Sequence, residues 1–356
     1  MQKKRVLSGL LAAAAMAFGH GPAAADNFNL RVGSGFPSAP SVFVYEVEKF
    51  YVPEAIKRVK EKTGHTLTFT EAYGGTVAKP NETLSAVDTG LLDIGVICVC
   101  FELSRMSLNN FPYWVPFGPP SAEVAIRAAR KVYDEFPQLT DSLKKQNQFL
   151  LGLGGFDNYH LGSTFEWQKL SDLKGRKIGA AGPNLPWLQG SGAVGVGTTL
   201  PEAYNALKSG IFEGLLMFPS AYNGFKFYEP APNYKQINFG AVAVMVVTMN
   251  TRSFNRLPKD VQQILVDLGR EYEVRVAKAL DKSNTEGLAR LMAAGTKLTE
   301  ISPQARKEWA TGIKDWPNKV AKDMDKRGQP GSAVLKSYMR HLKAEGWKPP
   351  VEYVVE

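Results

Sequence analysis

The sequence predicts an α/β fold with two domains. Residues 172–229 read as a strand, a loop, a helix with Pro201 in its first turn and Gly210 just past its end, and a second strand, which together form a βαβ unit. Residues 81–95 repeat the helix-to-strand half, with T-G-L-L-D-I-G matching S-G-I-F-E-G. The 356 residues also exceed the usual span of one core. The repeat favours two similar halves, although chance use of a common helix stop is the alternative.

The N-terminus has the pattern of a secretory signal peptide over residues 1–25. Lys3, Lys4 and Arg5 precede an apolar run over residues 6–18, and three alanines stand before Asp26. This run of about 13 residues is shorter than the roughly 20 that a helix needs to cross a bilayer. We therefore expect a cleavable leader and a periplasmic mature protein.

The charge of the mature chain argues against a nucleic-acid partner. Removing the leader leaves 40 Lys and Arg against 34 Asp and Glu, a net charge of +6. The basic residues do not cluster into a stripe, as they do in most proteins that bind nucleic acids. A modest positive balance of this kind could attract anionic ligands but decides little else.

The elements of the first half follow in chain order. The patterns predict strands, helices and turns at residues 30–32 (strand), 33–40 (loop), 42–63 (helix interrupted near Pro53), 66–70 (strand), 81–88 (helix) and 94–101 (buried strand). The unbroken apolar character of the last strand is typical of a parallel sheet covered on both faces. Ligands of such sheets bind beyond the carboxyl ends of the strands, so the loops at 34–36, 73–76 and 101–102 are candidate binding segments.

Cys98 and Cys100 are the only two cysteines, and both lie in the apolar run V-I-C-V-C-F. Side chains two apart on a strand share a face but diverge, so a bridge between them would be strained. We predict two small buried apolar side chains, with a redox or metal pair as the lesser alternative.

The remaining elements lead into a second half and back. A helix is predicted over residues 121–136 and a strand over 149–153, followed by G-G-F-D-N-Y-H-L, where the chain should cross between the halves. Residues 241–249 form a returning apolar strand. The pattern over residues 261–294 is long, charged and helical, and this helix could lie across both halves.

Signals of catalysis are weak. The motif G-S-G-A-V-G at residues 190–195 satisfies G-x-G-x-x-G but follows P-N-L-P-W-L-Q instead of a strand, which argues against a nucleotide site. His160 lies in a candidate pocket loop but has only Asp157 as a nearby acid, too little for a catalytic set, so it either hydrogen-bonds a ligand or is structural. Asp93 and Glu213 are expected to brace strands. We predict no enzyme activity, no metal and no cofactor.

Nearly the whole mature chain resembles one family of receptors. The segments Y-G-G-T-V-A-K-P-N-E-T-L-S-A-V-D-T-G-L-L-D-I-G, D-L-K-G-R-K-I, E-A-Y-N-A-L-K-S-G-I-F-E-G, K-F-Y-E and L-P-K-D-V-Q-Q-I-L follow in the order seen in the DctP-type substrate-binding proteins of tripartite ATP-independent periplasmic (TRAP) transporters. The resemblance implies a two-domain, type II-like Venus flytrap that binds a small organic acid and delivers it to membrane permease subunits. An exported α/β enzyme is the alternative, and a structural or adhesion module a more distant one.

The resemblance also implies the domain organisation. Domain I should comprise residues 26–157 and 243–283, and domain II residues 158–242 and 284–356, with the long C-terminal helix spanning both. The ligand is expected to bind in the cleft between the domains.

Two departures from the family pattern bear on the ligand. Where the family's K-I-R-V strand has an arginine that clamps the ligand carboxylate, Gly179 stands in K-I-G-A. Where the family has G-Q-E-N-P, this chain has G-L-L-M-F, with Met217 and Phe218. His160, Arg176 or Lys177 could replace the clamp, although Arg176 should face away from the Gly179 side of the strand.

Loss of the clamp and gain of apolar surface predict an aromatic or otherwise hydrophobic carboxylate, or a neutral compound, in preference to a C4-dicarboxylate or sugar acid. The predicted ligand-binding residues are Phe36, Tyr73, Gly74, Phe101, Phe156, Asn158, Tyr159, His160, Gly179, Ala180, Trp187, Leu200, Met217, Phe218 and Tyr222.

Overall fold

The structure, a computed structural model that describes residues 26–356, is built on two β-sheets flanked by helices. The predicted signal peptide falls on residues 1–25, outside the described residues. In the described part of the chain, none of the helices combines the length and the apolar character that crossing a membrane requires.

Eleven strands are described across residues 26–356. They are β1 (Asn27–Gly33), β2 (Thr66–Ala72), β3 (Ile94–Cys98), β4 (Gln148–Phe156), β5 (His160–Ser163), β6 (Lys177–Ala180), β7 (Val194–Gly197), β8 (Gly214–Met217), β9 (Asn233–Gln236), β10 (Val242–Asn250) and β11 (Lys297–Glu300).

The α-helices of the same residues are α1 (Val42–Glu46), α2 (Val52–Thr63), α3 (Thr83–Asp88), α4 (Ala122–Glu135), α5 (Gln138–Lys144), α6 (Leu200–Lys208), α7 (Pro219–Gly224), α8 (Thr251–Asn255), α9 (Lys259–Ala293), α10 (Pro303–Gly312), α11 (Trp316–Lys326) and α12 (Gly331–Ala344). A π-helical turn, Val47–Tyr51, joins α1 to α2, so the interruption predicted near Pro53 is a change of helix type. Four 3₁₀ helices are also described: Val99–Phe101, Leu108–Trp114, Leu170–Leu173 and Gly182–Leu188.

The first sheet has the strand order β2-β1-β3-β10-β4 and defines what we call the first lobe. Strand β1 runs parallel to β2 and β3, whereas β10 is antiparallel to β3 and β4. Every residue of β3 and of β10 is buried. This matches the continuous apolar runs in the sequence, because both faces of these central strands are covered.

The second sheet has the order β11-β9-β5-β8-β6-β7 and defines the second lobe. The chain leaves the first sheet at the end of β4 and enters the second at β5, so the crossing predicted around Asp157 is confirmed. It returns to the first sheet with β10, which was also predicted. The two similar halves expected from the repeated motif are therefore two separate sheets.

The repeated motif has the same construction in both lobes. Gly90 and Gly210 end their helices with φ of 79° and 74°, a backbone conformation that favours glycine. The Asp93 carboxylate then accepts hydrogen bonds from the Arg31 backbone N–H and the Ser253 hydroxyl at 2.8 and 2.6 Å. In the second lobe, Glu213 accepts one from Arg176 at 2.6 Å. Both carboxylates brace neighbouring segments, as predicted.

The 35-residue helix α9 contacts both lobes. Its first half packs on β4, where a Cβ added to Gly269 would lie 1.9 Å from the Leu151 carbonyl oxygen. Its second half packs on α7, where a Cβ added to Gly287 would lie 2.8 Å from backbone atoms of Pro219. The predicted long helix across both halves is confirmed.

The C-terminal helices require a correction to the expected domain organisation. Helices α11 and α12 pack against α4 and the 3₁₀ segment Leu108–Trp114, which belong to the first lobe. The Trp347 indole also donates a hydrogen bond to the Phe117 carbonyl at 2.9 Å. The assignment of residues 284–356 as a whole to domain II was therefore wrong for these helices, because sequence order does not reveal which lobe a terminal helix contacts.

Cys98 and Cys100 form a disulfide, which corrects the prediction of two free apolar side chains. Both residues are buried as expected. The strand ends at Cys98 and the chain turns into the 3₁₀ helix Val99–Phe101, where side chains two apart no longer diverge as on a strand. The predicted strand over residues 94–101 was thus three residues too long.

Candidate functional site

A cavity lies between the two lobes, at the carboxyl ends of the strands. The first lobe lines it with Phe36, Cys100, Phe101 and Phe156, and the crossing and second lobe line it with Tyr159, Ala181, Thr198, Thr199, Leu200, Leu216, Met217 and Phe218. Strand ends of a parallel sheet are where ligands of α/β proteins commonly bind. The cavity is therefore our candidate ligand site.

Aromatic rings from both lobes meet at this cavity. The rings of Phe156 and Phe218 stack with centroids 4.9 Å apart and an angle of 13° between their planes. Tyr159 meets Phe218 edge-on at 5.1 Å. Its hydroxyl lies 3.1 Å from that of Tyr113. Burial raises the pKa of the Tyr159 phenol well above its usual value, so the hydroxyl stays neutral.

The polar part of the wall comes from Thr198 and Thr199, at the start of α6. The Thr199 hydroxyl donates to Glu202 at 2.8 Å, and its backbone carbonyl accepts from the Ala203 N–H at 3.1 Å. Leu200, the first residue of α6, also lines the cavity, so the start of this helix lies at the site. None of the described residues that line the cavity carries a charged side chain.

Seven of the predicted ligand-binding residues line the cavity: Phe36, Phe101, Phe156, Tyr159, Leu200, Met217 and Phe218. The other eight do not: Tyr73, Gly74, Asn158, His160, Gly179, Ala180, Trp187 and Tyr222. Two of these make hydrogen bonds in the layer behind the lining residues. The Trp187 indole donates to the Tyr113 carbonyl at 2.9 Å, and Asn158 accepts from the Gly240 N–H at 2.9 Å.

The structure explains the glycine at position 179. A Cβ added there would lie 2.7 Å from the ring of Phe212, which is fully buried. The space that a side chain at 179 would need is filled by an aromatic ring of the neighbouring turn. An arginine at this position could reach the site only if Phe212 moved.

The three residues considered as replacements for the clamp lie elsewhere. Arg176 pairs with Glu213 at 2.6 Å and stacks over Phe165. Lys177 is exposed. His160 is buried, and its Nδ1 accepts hydrogen bonds from the backbone N–H groups of Ile237 and Asn238, both at 3.1 Å.

His160 is therefore structural and uncharged. Burial lowers the pKa of its imidazole to about 3, because the charged form would lose its hydration. A neutral ring whose Nδ1 already accepts two hydrogen bonds cannot act as a cation toward a carboxylate. The suggestion that His160, Arg176 or Lys177 replaces the clamp is not supported by their positions.

Five lining residues were missed: Cys100, Ala181, Thr198, Thr199 and Leu216. Thr198 and Thr199 were missed because strand β7 was read as part of a glycine-rich loop. The alternation V-G-V-G over Val194–Gly197 has the period of a strand and could have indicated β7. The G-x-G-x-x-G match overlaps this strand, which pairs with β6 at the edge of the sheet.

Asp157 lies where the chain crosses between the lobes and is hydrogen-bonded to α7. Its carboxylate is completely buried and accepts hydrogen bonds from the Ser220 N–H at 3.1 Å and the Ser220 hydroxyl at 2.6 Å. Burial raises its pKa from the usual 3.8 to about 7, and the hydrogen bonds from Ser220 oppose this only partly. Deprotonation at the crossing therefore opposes folding.

We expect the stability of the protein to fall relative to an Asp157→Asn variant as the pH rises from 4 to 8. Below the unfolded pKa of 3.8 both states are protonated and the carboxyl adds no penalty. As the pH passes the folded value of about 7, the penalty reaches its full size. About three pKa units correspond to about 4 kcal/mol. Urea midpoints of both proteins at pH 4, 6 and 8 measure the difference, and a constant difference would contradict the assignment.

A family model matches most of the chain. Residues 49–323 match the model described as bacterial extracellular solute-binding protein, family 7 (DctP). Among curated proteins, a monocarboxylate 2-oxoacid-binding periplasmic protein of Nostoc sp. (strain PCC 7120) is 26% identical over 276 residues, which cover 70% of this chain and 68% of that protein.

Solved structures share the fold. A TRAP solute-binding protein from Rhodoferax ferrireducens T118, in complex with copurified benzoate, aligns with a TM-score of 0.80 and 18% identity over 90% of this chain and 98% of that one. A marine metagenome TRAP solute-binding protein specific for aromatic acid ligands, with 3-hydroxybenzoate, also has a TM-score of 0.80, with 17% identity over 90% and 99% of the chains. At such identities the likeness shows a common fold.

Proposed function

Because the chain belongs to family 7 of the bacterial extracellular solute-binding proteins, the DctP family of TRAP transporters, we propose that it is a periplasmic receptor for an aromatic or hydrophobic monocarboxylate. The receptor binds the acid between its lobes and delivers it to the membrane permease of a TRAP transporter. The family consists of binding proteins for transport and not of enzymes. Export through the leader at residues 1–25 is part of the proposal.

The observation that carries the proposal is the aromatic and uncharged wall of the cavity. Phe156 and Phe218 come from opposite lobes, and their stacked rings form a flat surface. A ring-bearing ligand can replace this contact with its own faces, whereas an aliphatic diacid cannot. Burying apolar surface contributes about 25 cal/mol per Å², so a ring of ordinary size recovers several kcal/mol.

We propose that the start of α6 receives the ligand's carboxylate. Thr198 and Thr199 form the polar end of the cavity, and Leu200 begins α6 beside them. Pro201 has no N–H, and those of Glu202 and Ala203 donate to the Thr199 carbonyl, so the Leu200 N–H is the amide of this turn left for a single negative charge. A second carboxylate would have to lie among Phe36, Phe101 and the other apolar residues. Burial of an unpaired charge there is strongly unfavourable. This difference favours monocarboxylates over C4-dicarboxylates.

Binding requires the lobes to open first. The cavity has a volume of only about 20 Å³, room for one or two water molecules. An aromatic acid therefore enters while the lobes are apart and is then enclosed as they close. Ligand shifts the protein toward the closed state because it binds that state better.

Aromatic monocarboxylates should stabilise the protein most in a panel of organic acids. We expect benzoate, 3-hydroxybenzoate and mandelate to raise the thermal midpoint, because a ligand that binds only the folded state stabilises it. Succinate and galacturonate should raise it little. Thermal-shift screening followed by calorimetry measures both groups.

The control is a Phe218→Ala variant, which keeps the polar end of the cavity but removes one stacking ring. It should weaken aromatic acids by about tenfold or more, since aromatic pairs and their buried area are worth roughly 1.5–3 kcal/mol. Its affinity for any responding aliphatic acid should change much less. Tight binding of succinate with no response to the aromatic acids would contradict the proposal.

A further inference from the structure

A disulfide forms part of the wall of the cavity between the lobes. Cys98 ends β3, the middle strand of the first sheet, where it is paired with Met245 of β10. Cys100 follows in the 3₁₀ turn and lines the cavity, as does Phe101 next to it. The bond between the two cysteines therefore joins the frame of the first sheet to the surface that meets the solute.

The effect of this bond is local. Disulfides stabilise a fold mainly by restraining the unfolded chain, and the effect grows with the number of residues enclosed. Cys98 and Cys100 are only two positions apart, so their bond contributes little to global stability. The turn also has other anchors, because the Val99 carbonyl accepts hydrogen bonds from the Asn110 amide at 2.9 Å and the Glu102 N–H at 3.0 Å. We therefore expect the fold to survive reduction.

Breaking the bond changes the wall of the cavity. Two sulfurs that are no longer bonded must separate to van der Waals contact. Cys98 is held by the pairing of its strand, whereas Cys100 lies in a turn that borders the cavity. The turn is the part that can move, and it carries Cys100 and Phe101 toward the place of the solute. The reduced receptor therefore binds the solute more weakly than the oxidised receptor.

Access to the bond depends on the position of the lobes. In the closed structure Cys98 and Cys100 are 0% and 2% exposed, so a reductant reaches neither sulfur. Cys100 borders the space between the lobes, and it becomes accessible when Met217 and Phe218 of the second lobe move away. We propose that the Cys98–Cys100 disulfide is a redox-sensitive element of the solute site, reducible in the open, empty receptor and protected in the closed, loaded one.

The reductant is a dithiol. One of its thiolates attacks a sulfur of the bond, which gives a mixed disulfide and releases the other cysteine as a thiolate that takes up a proton. The second thiol of the reductant then displaces the remaining cysteine. The protein gains two electrons and two protons, and the dithiol becomes a disulfide. This regulation rests on the proposed binding of an acid between the lobes.

Benzoate should slow the reduction of the receptor by dithiothreitol by about tenfold or more, because only the open fraction reacts. Thiols are trapped by alkylation at intervals and counted by mass, and the sequence contains no third cysteine. After full reduction, the Kd for benzoate in calorimetry should rise by about tenfold. Because binding and reduction are linked, saturating benzoate should lower the reduction potential of the bond by the same factor, about 30 mV.

Two variants serve as controls. In Cys98→Ser/Cys100→Ser, dithiothreitol should not change the affinity for benzoate, whatever that affinity is. Gly224→Val tests access without any solute, because a Cβ at Gly224 would lie 2.4 Å from the Pro40 side chain across the cleft and hold the lobes apart. In buffer alone, its disulfide should be reduced severalfold faster than that of the wild type.

Equal reduction rates with and without bound benzoate, or a reduced receptor that binds benzoate as tightly as the oxidised one, would overturn the proposal. Loss of helical circular dichroism on reduction would also overturn it, because the bond would then hold the whole fold. If no organic acid binds, the proposed function fails, and the comparison of the wild type with Gly224→Val still decides the redox proposal: equal reduction rates refute it.

Discussion

Replacing Gly224 by valine should lower the affinity for the solute by about 10- to 100-fold. Gly224 ends α7 in the second lobe, and a Cβ added there would lie 2.4 Å from the Pro40 side chain of the first lobe. The lobes can relieve such an overlap only by staying apart. Overpacking of this kind costs about 1–3 kcal/mol, and closing of the lobes would become less favourable by that amount.

The open form of the Gly224→Val variant should be preserved, because Pro40 and Gly224 meet only when the lobes are together. Small-angle scattering with a saturating concentration of the best acid should give a smaller radius for the wild type than for the variant. Gly197→Val is the matched control, since a Cβ at Gly197 meets nothing within 4 Å. Unchanged affinity and full closure of the Gly224→Val variant would show that this contact does not limit closure.

Local patterns in the sequence predicted most of the fold. Ser121 was placed at the start of a helix, and its hydroxyl accepts a hydrogen bond from the Val124 N–H at 3.4 Å. Helix α9 was predicted to within a few residues because apolar positions at helical spacing continue throughout it. The carboxyl-end rule then directed attention to Phe36 and Phe101, both of which line the cavity.

What the sequence could not predict depends on contacts between distant segments. The absence of a clamp at Gly179 was visible, but the reason, the ring of Phe212, requires the pairing of β6 with β8 to be known. His160 looked available until its Nδ1 was found to bind backbone N–H groups nearly 80 residues away.

A large loss of stability is expected from Gly269→Ala. On helix propensity alone this change should stabilise α9 by about 1 kcal/mol. The structure predicts the opposite, because a Cβ at position 269 would lie 1.9 Å from the Leu151 carbonyl oxygen and 2.6 Å from its carbon. These are backbone atoms of β4, the edge strand of the first sheet, so the methyl group can fit only if α9 and β4 move apart.

Helix α9 would have to lift from β4 to accommodate the methyl group. Doing so would strain the hydrogen bonds from the Tyr51 hydroxyl to the Leu265 carbonyl and from the Tyr272 hydroxyl to the Phe43 carbonyl, which measure 2.9 and 2.8 Å. We expect a loss of about 3 kcal/mol or more, measured by urea unfolding. Val274→Ala, at a position of the same helix that is 59% exposed, should change stability by less than about 0.5 kcal/mol. A Gly269→Ala protein as stable as the wild type would mean that α9 is not held against β4 as closely as described.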